Sequence, residues 1–234
     1  MSDHEAEFKQ IIRTIIYDDS TVATLPCPDQ YVGTAVYQGS EQGFKYEGQP
    51  GAGLFTQRLD LPEHLNQSSG PRLIIILESP HKDEFNKLTK APIGPANGKT
   101  GENIHSFLAY ATKGLDVRHI PDRQPFDLIL MNAVQHQCSL GKSPQKYRTE
   151  VFMKCWDNPL IGKRYFVKRL RDYTKDCKAV VINSCTASIR DPVDEAISDT
   201  IKDSNYFRLC HPSSPWWASG KTWAPKKRKK ASEP

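Results

Sequence analysis

The run Leu73-Ile74-Ile75-Ile76-Leu77 is five aliphatic residues long and stops abruptly at Glu78-Ser79-Pro80-His81. No other stretch constrains the fold as tightly. A short apolar run without alternation predicts a strand buried on both faces, which is the pattern of a parallel sheet. Polar chemistry begins at the strand's carboxyl end, and in open α/β sheets that edge is where ligands bind. Glu78, Ser79 and His81 are therefore site candidates, the plainer alternative being a structural turn closed by Pro80.

Three more runs repeat the pattern: residues 126–131 end at Asn132, 179–182 at Asn183, and 206–210 at His211. Helical periodicity fills the intervals, at 102–112, 150–156, 163–173 and 192–201. A first amphipathic helix over 4–18 carries Phe8, Ile11, Ile12, Ile15 and Ile16 on one face. Strands alternating with helices predict an α/β fold, a three-layer αβα sandwich around a central, mainly parallel four-stranded sheet. Residues 25–60 read differently. Glycine and proline punctuate them while Val32, Thr34, Val36, Phe44 and Tyr46 mark short alternating strands, so a hairpin-bearing insertion ahead of the main sheet is expected. The four strand ends would gather Glu78, Ser79, Asn132, Asn183, Ser184, His211 and Ser213 on one edge.

A length of 234 residues suits one domain, taken as 1–225, followed by a basic tail at 226–234 that is expected to be disordered. The formal charge of +5 belongs mostly to that tail, whose five bases and one acid leave a nearly neutral body. Such a run holds phosphate, serves as a nuclear address or merely solvates an end. No apolar run reaches the roughly 18 residues of a membrane span, and residues 2–10 are too polar for a secretory leader. The expected location is cytoplasmic in a bacterial or phage-related host, or nuclear in a eukaryote, with no membrane partner and a monomeric state. Six cysteines are scattered without a CxxC pair, which argues against a disulfide framework or a zinc ribbon; no metal and no cofactor are expected.

Taken in chain order, the strand-end motifs resemble those of the uracil-DNA glycosylase superfamily. Leu77-Glu78-Ser79-Pro80-His81 is similar to its first motif, of the kind GQDPYH, GEAPG or GINPG, and Pro92-Ile93-Gly94-Pro95-Ala96 to its glycine-rich PFVGxAG. Asn132, within Leu130-Met131-Asn132-Ala133-Val134, resembles the base-reading asparagine, and His211-Pro212-Ser213 the HPS that opens the minor-groove loop. The resemblance implies a monofunctional enzyme that flips a base out of DNA and hydrolyses its N-glycosidic bond, leaving an abasic site. Breaking that bond builds positive charge on the sugar and negative charge on the departing base. By resemblance Glu78 and His211 would be catalytic, the acid serving water and sugar, the imidazole donating a hydrogen bond to the base. Ser79, Pro80, Ile93, Gly94 and Asn132 would contact the base, and Ser213, Trp216, Trp217, Lys221, Lys226, Lys227 and Arg228 the DNA.

Departures from the superfamily bear on substrate. Ser79 stands where the commonest uracil enzymes carry a catalytic aspartate, so the acid acts from Glu78, as in the GEAPG type. The aromatic residue that stacks on uracil is replaced by Ile93. A modified pyrimidine, such as a hypermodified cytosine of phage DNA, is then favoured over uracil, for a role in repair or antiviral defence. Cys138 and Cys155 fall where two iron-sulfur ligands lie in the GEAPG type, but the other two ligands have no counterpart, so no cluster is expected. Two other classes stay open: a hydrolase or transferase of free nucleosides, and a noncatalytic DNA-binding module.

Overall fold

The structure, a computed structural model, describes residues 2–15, 22–47, 55, 59–61, 70–139, 147–201 and 205–218. Ile16 and the DNA-binding candidates Lys221, Lys226, Lys227 and Arg228 lie outside the described residues. The chain folds in the order α1 (Asp3–Ile15), β1 (Gln30–Tyr37), β2 (Phe44–Tyr46), β3 (Leu59–Asp60), β4 (Arg72–Leu77), α2 (Lys99–Thr112) and β5 (Pro125–Asn132). It continues through α3 (Arg148–Asp157), α4 (Lys163–Thr174), β6 (Ala179–Asn183), α5 (Ala187–Thr200), β7 (Tyr206–Arg208) and the short α6 (Pro215–Ala218).

The aliphatic run becomes β4, every residue of which is buried. It pairs in parallel with β5 on one side and β6 on the other, and β7 continues in parallel beyond β6. Alternation sends its side chains to opposite faces. Ile74 and Ile76, with Ile129, Met131 and Val181, pack under α1, α3, α4 and α5. Leu73, Ile75 and Leu77, with Leu128, Leu130 and Ile182, pack under α2 and α6. Helices thus cover both faces, as the unbroken apolar run requires. Among the described residues no helix is long and apolar enough to cross a membrane.

The expected four-stranded sheet is too small. Its four parallel strands are present, but the full order is β2-β1-β5-β4-β6-β7, with β3 also paired to β1. The hairpin expected as an insertion instead extends the sheet, β1 lying antiparallel to β5 with Gln30 opposite Leu130 and Ala35 opposite Phe126. What holds it there is close packing on α2. Gly43 has φ +74°, and a Cβ on it would stand 2.5 Å from the Thr112 hydroxyl oxygen, which itself accepts the Phe44 N–H at 2.7 Å. Helix α5 also begins earlier than its proline suggests, because Pro192 lies inside it and forfeits a hydrogen bond there.

A buried ion pair sits below the carboxyl end of β5. Asp29 accepts the Asn132 N–H at 3.1 Å and the Tyr173 hydroxyl at 3.1 Å, and is ion-paired with Arg169. Arg169 in turn donates to the carbonyls of Asn132 at 3.0 Å and Ala133 at 3.2 Å. Neither charge meets water, since Asp29 is 3% and Arg169 5% exposed. Removing one partner strands the other, so Asp29→Asn should cost about 3–5 kcal/mol in urea unfolding, whereas Asp29→Asn with Arg169→Met should recover most of that loss. Equal stability of the single variant and the wild type would show that the pair is dispensable.

Candidate active site

The chain order across the sheet creates a crevice. From β4 the chain moves through α2 to β5 on one side, then crosses to β6 on the other, so the connections diverge where β4 meets β6. Ligands in open α/β sheets bind at such a switch point. Here a cavity of about 270 Å³ is lined by Glu78 and Ser79 after β4, Thr186 after β6, His211 after β7, Lys99 at the start of α2 and Arg148 at the start of α3. That volume is below the roughly 300–1,000 Å³ of pockets for drug-sized ligands and suits one substituted ring.

Glu78 is 4% exposed, yet its carboxylate is held from two sides. Arg148 Nε lies 2.9 Å from Oε1, and the Thr186 hydroxyl donates to Oε2 at 2.5 Å. Thr186 occupies the N-cap position of α5 without capping it. A residue type that usually closes a helix is thus turned towards the acid. Burial pushes the Glu78 carboxyl above its ordinary value of 4.5, while the Thr186 hydrogen bond and the Arg148 charge pull it partly back. Ionised, it is a buried base aimed at a small cavity.

His211 is half-buried and complementary. The Ser213 N–H donates to its Nδ1 at 3.2 Å, and the Ser213 hydroxyl stands 2.8 Å from the same atom. Nδ1 is therefore an acceptor, which leaves the proton on Nε2 as a donor. Burial, then Arg148, then Arg190 lower the imidazole from 6.5 to about 4, so it is neutral at physiological pH. A latch to α2 holds this loop. The Asn103 side chain donates to the Pro212 carbonyl at 2.6 Å, and the Trp217 indole N–H donates to the Asn103 carbonyl at 3.0 Å.

The other candidates divide. Ser79, Pro80, His81 and Ser213 line the cavity with Glu78 and His211. Ile93 and Gly94 do not; the glycine-rich segment contributes Asn97, Gly98, Lys99 and Thr100 instead. Asn132 is fully buried and outside the lining, with neither amide atom hydrogen-bonded among the described residues. Ser184 is buried too, its hydroxyl also without a partner among them. Asn183 is a structural residue, its amide donating to Asp194 at 2.6 Å and accepting the Cys185 N–H at 2.9 Å. Trp217 is fully buried and Trp216 51% exposed, so only Trp216 offers a face to a partner. Cys138 and Cys155 are buried neighbours, burial and Cys155 holding the Cys138 thiol well above its ordinary value. Among the described residues no group of three or more His, Cys, Asp or Glu could hold a metal ion.

Arg148 and Thr186 line the cavity and hold Glu78, and strand-end reasoning misses both. The helical pattern read from the sequence begins at 150, so it leaves Arg148 in the preceding loop and carries no signal that Arg148 has a partner. Thr186 carries none either, because a threonine between strand and helix reads as a cap. No family model, curated protein or solved structure matches the chain.

His211 should titrate near pH 4 when followed by NMR. In the unfolded chain it takes up its proton near 6.5, so its contribution to stability is intact above that value and is lost as the pH falls from 6.5 through about 4. His211→Gln should remove part of that slope, the rest belonging to buried His136, whose imidazole burial also lowers to about 4; a measured His211 midpoint at or above 6.5 would contradict the assignment.

Proposed function

We propose that the protein is a monofunctional DNA glycosylase, its β5-β4-β6-β7 strands forming the four-strand core of the superfamily's αβα sandwich. The observation that carries this reading is the pairing, across one small cavity, of a buried carboxylate held by Arg148 and Thr186 with a neutral imidazole whose donor is Nε2. Those are the two groups that base excision demands. As the C1′–N bond breaks, its electron pair leaves with the base, and the His211 Nε2–H donates to the base oxygen that gains charge. Ionised Glu78 stabilises the cationic sugar and takes the proton of the water that adds to C1′. The Asn132 amide, with no hydrogen-bond partner among the described residues, supports a role in reading a base edge. Trp216, just after His211-Pro212-Ser213, supplies an exposed ring for stacking. Among the described residues the lining holds no Phe, Tyr or Trp and is made mostly of polar residue types, which favours a modified pyrimidine over uracil as substrate.

The test offers the protein uracil-containing DNA, mismatched DNA and DNAs bearing modified cytosines, followed by alkali to reveal abasic sites. Strand breaks are expected on at least one of them, and Glu78→Gln should slow their formation by about 10²–10⁴-fold. Alkali-stable products throughout would sink the reading. Since the ionised acid is the working form, the rate should fall as the pH drops through the raised Glu78 midpoint. His211→Ala should reduce excision far more than DNA affinity, and equal losses would make that residue a binding group.

A further inference from the structure

We propose that Leu88 is a wedge that enters the base stack of duplex DNA beside the cavity, on a different loop from Trp216; the inference rests on the glycosylase reading. Single exposed leucines are common on protein surfaces and mean little alone. Leu88 differs in how it is held. It is 93% exposed at the tip of a loop whose root is fixed and whose backbone is tied. At the root, Phe85 is 3% exposed, packs with Ala23 and Cys27, and bridges to Pro92. Above it the Asn86 N–H donates to the Ala91 carbonyl at 2.8 Å, and the Lys90 N–H to the Asn86 carbonyl at 2.9 Å, with Lys90 at φ 58° closing the turn. The Asn86 side-chain oxygen then accepts the N–H groups of Leu88 at 2.9 Å and Thr89 at 3.0 Å.

An apolar tip on a slack loop would fold back onto the surface; this one is braced outward before any partner arrives, which lowers the ordering cost of insertion. The loop springs from the cavity wall. Glu84 lines the cavity, and its carbonyl accepts the Ile93 N–H at 2.8 Å, so both arms start there. Leu88 sits three residues past the bridge, within the turn formed by residues 87–89. Lys87 and Lys90 flank it in the loop, and exposed Lys82 precedes the loop's root. Lysines that hold phosphates on either side of an apolar side chain suit a duplex opened at one step, where leucine wedges part neighbouring bases.

The experiment uses the full chain with a duplex containing a tetrahydrofuran abasic analogue and 2-aminopurine as its neighbour, which brightens when unstacked. Wild type should raise the fluorescence several-fold; Leu88→Ala should lose most of that rise and bind the duplex about tenfold more weakly, while Leu88→Phe should restore both. An unchanged thermal midpoint would confirm that the exposed substitution leaves the fold intact. A rise that survives Leu88→Ala, or no rise with wild type, overturns the wedge. No bond is broken in this assay, so failure to excise any base would overturn the glycosylase reading by a separate measurement.

Discussion

The buried pair of Asp29 and Arg169 sets the level from which the cavity is built. Ladder hydrogen bonds hold β4 and β5 in register up to Leu77 and Asn132, but they do not say how the chain continues past the last rung. Arg169, reaching from α4, grips the carbonyls of Asn132 and Ala133, and Asp29, just before β1, takes the Asn132 N–H. Beyond them the Ala133 N–H donates to the Leu77 carbonyl and the Val134 N–H to the Glu78 carbonyl. The backbone that carries the acid is thus locked to a backbone that is itself locked to an ion pair. A well-packed apolar replacement is often as stable as a buried salt bridge. What the pair contributes here is one geometry for the chain that leaves β5.

Beneath the larger influence of burial, one cation acts on both Glu78 and His211. Arg148 beside Glu78 favours the carboxylate, and the same charge near His211 disfavours the imidazolium. In a small cavity of low effective dielectric these influences reach further than they would in water. Above the raised Glu78 midpoint and the lowered His211 midpoint, an ionised carboxylate and a neutral imidazole therefore coexist in the cavity.

Much of this was legible in the sequence, for a physical reason. Strands buried on both faces need no alternation, so Leu73–Leu77 and residues 126–131 announce a parallel core, and an abrupt change to Glu78 or His211 marks a strand end. The hairpin's place was hidden because β1 pairs with a strand about a hundred residues away, and its glycines, which allow the close packing on α2, look like loop punctuation. Trp216 and Trp217 are neighbours in sequence with opposite fates, since adjacent helical residues point about 100° apart. Asn132 shows the remaining limit. Its position at the end of β5 was readable, but whether its side chain meets the cavity depends on what lies above it, and that is a property of packing.

The latch between α2 and the loop of His211 also bears on how this protein can change over time. Asn103 contributes its amide to Pro212 and its carbonyl to Trp217, while the same helix opens with Lys99 and Thr100 in the lining of the cavity. Near its start, Gly101 could not carry a Cβ without meeting the Ala96 carbonyl oxygen at 2.0 Å. Side chains that share partners in this way do not contribute independently. Drift at any of Gly101, Asn103 or Trp217 would be tolerated chiefly in company with the others, so lineages that altered the cavity's width would do so by coupled replacements, and Glu78, Arg148 and Thr186, which share contacts in the same way, would also change together.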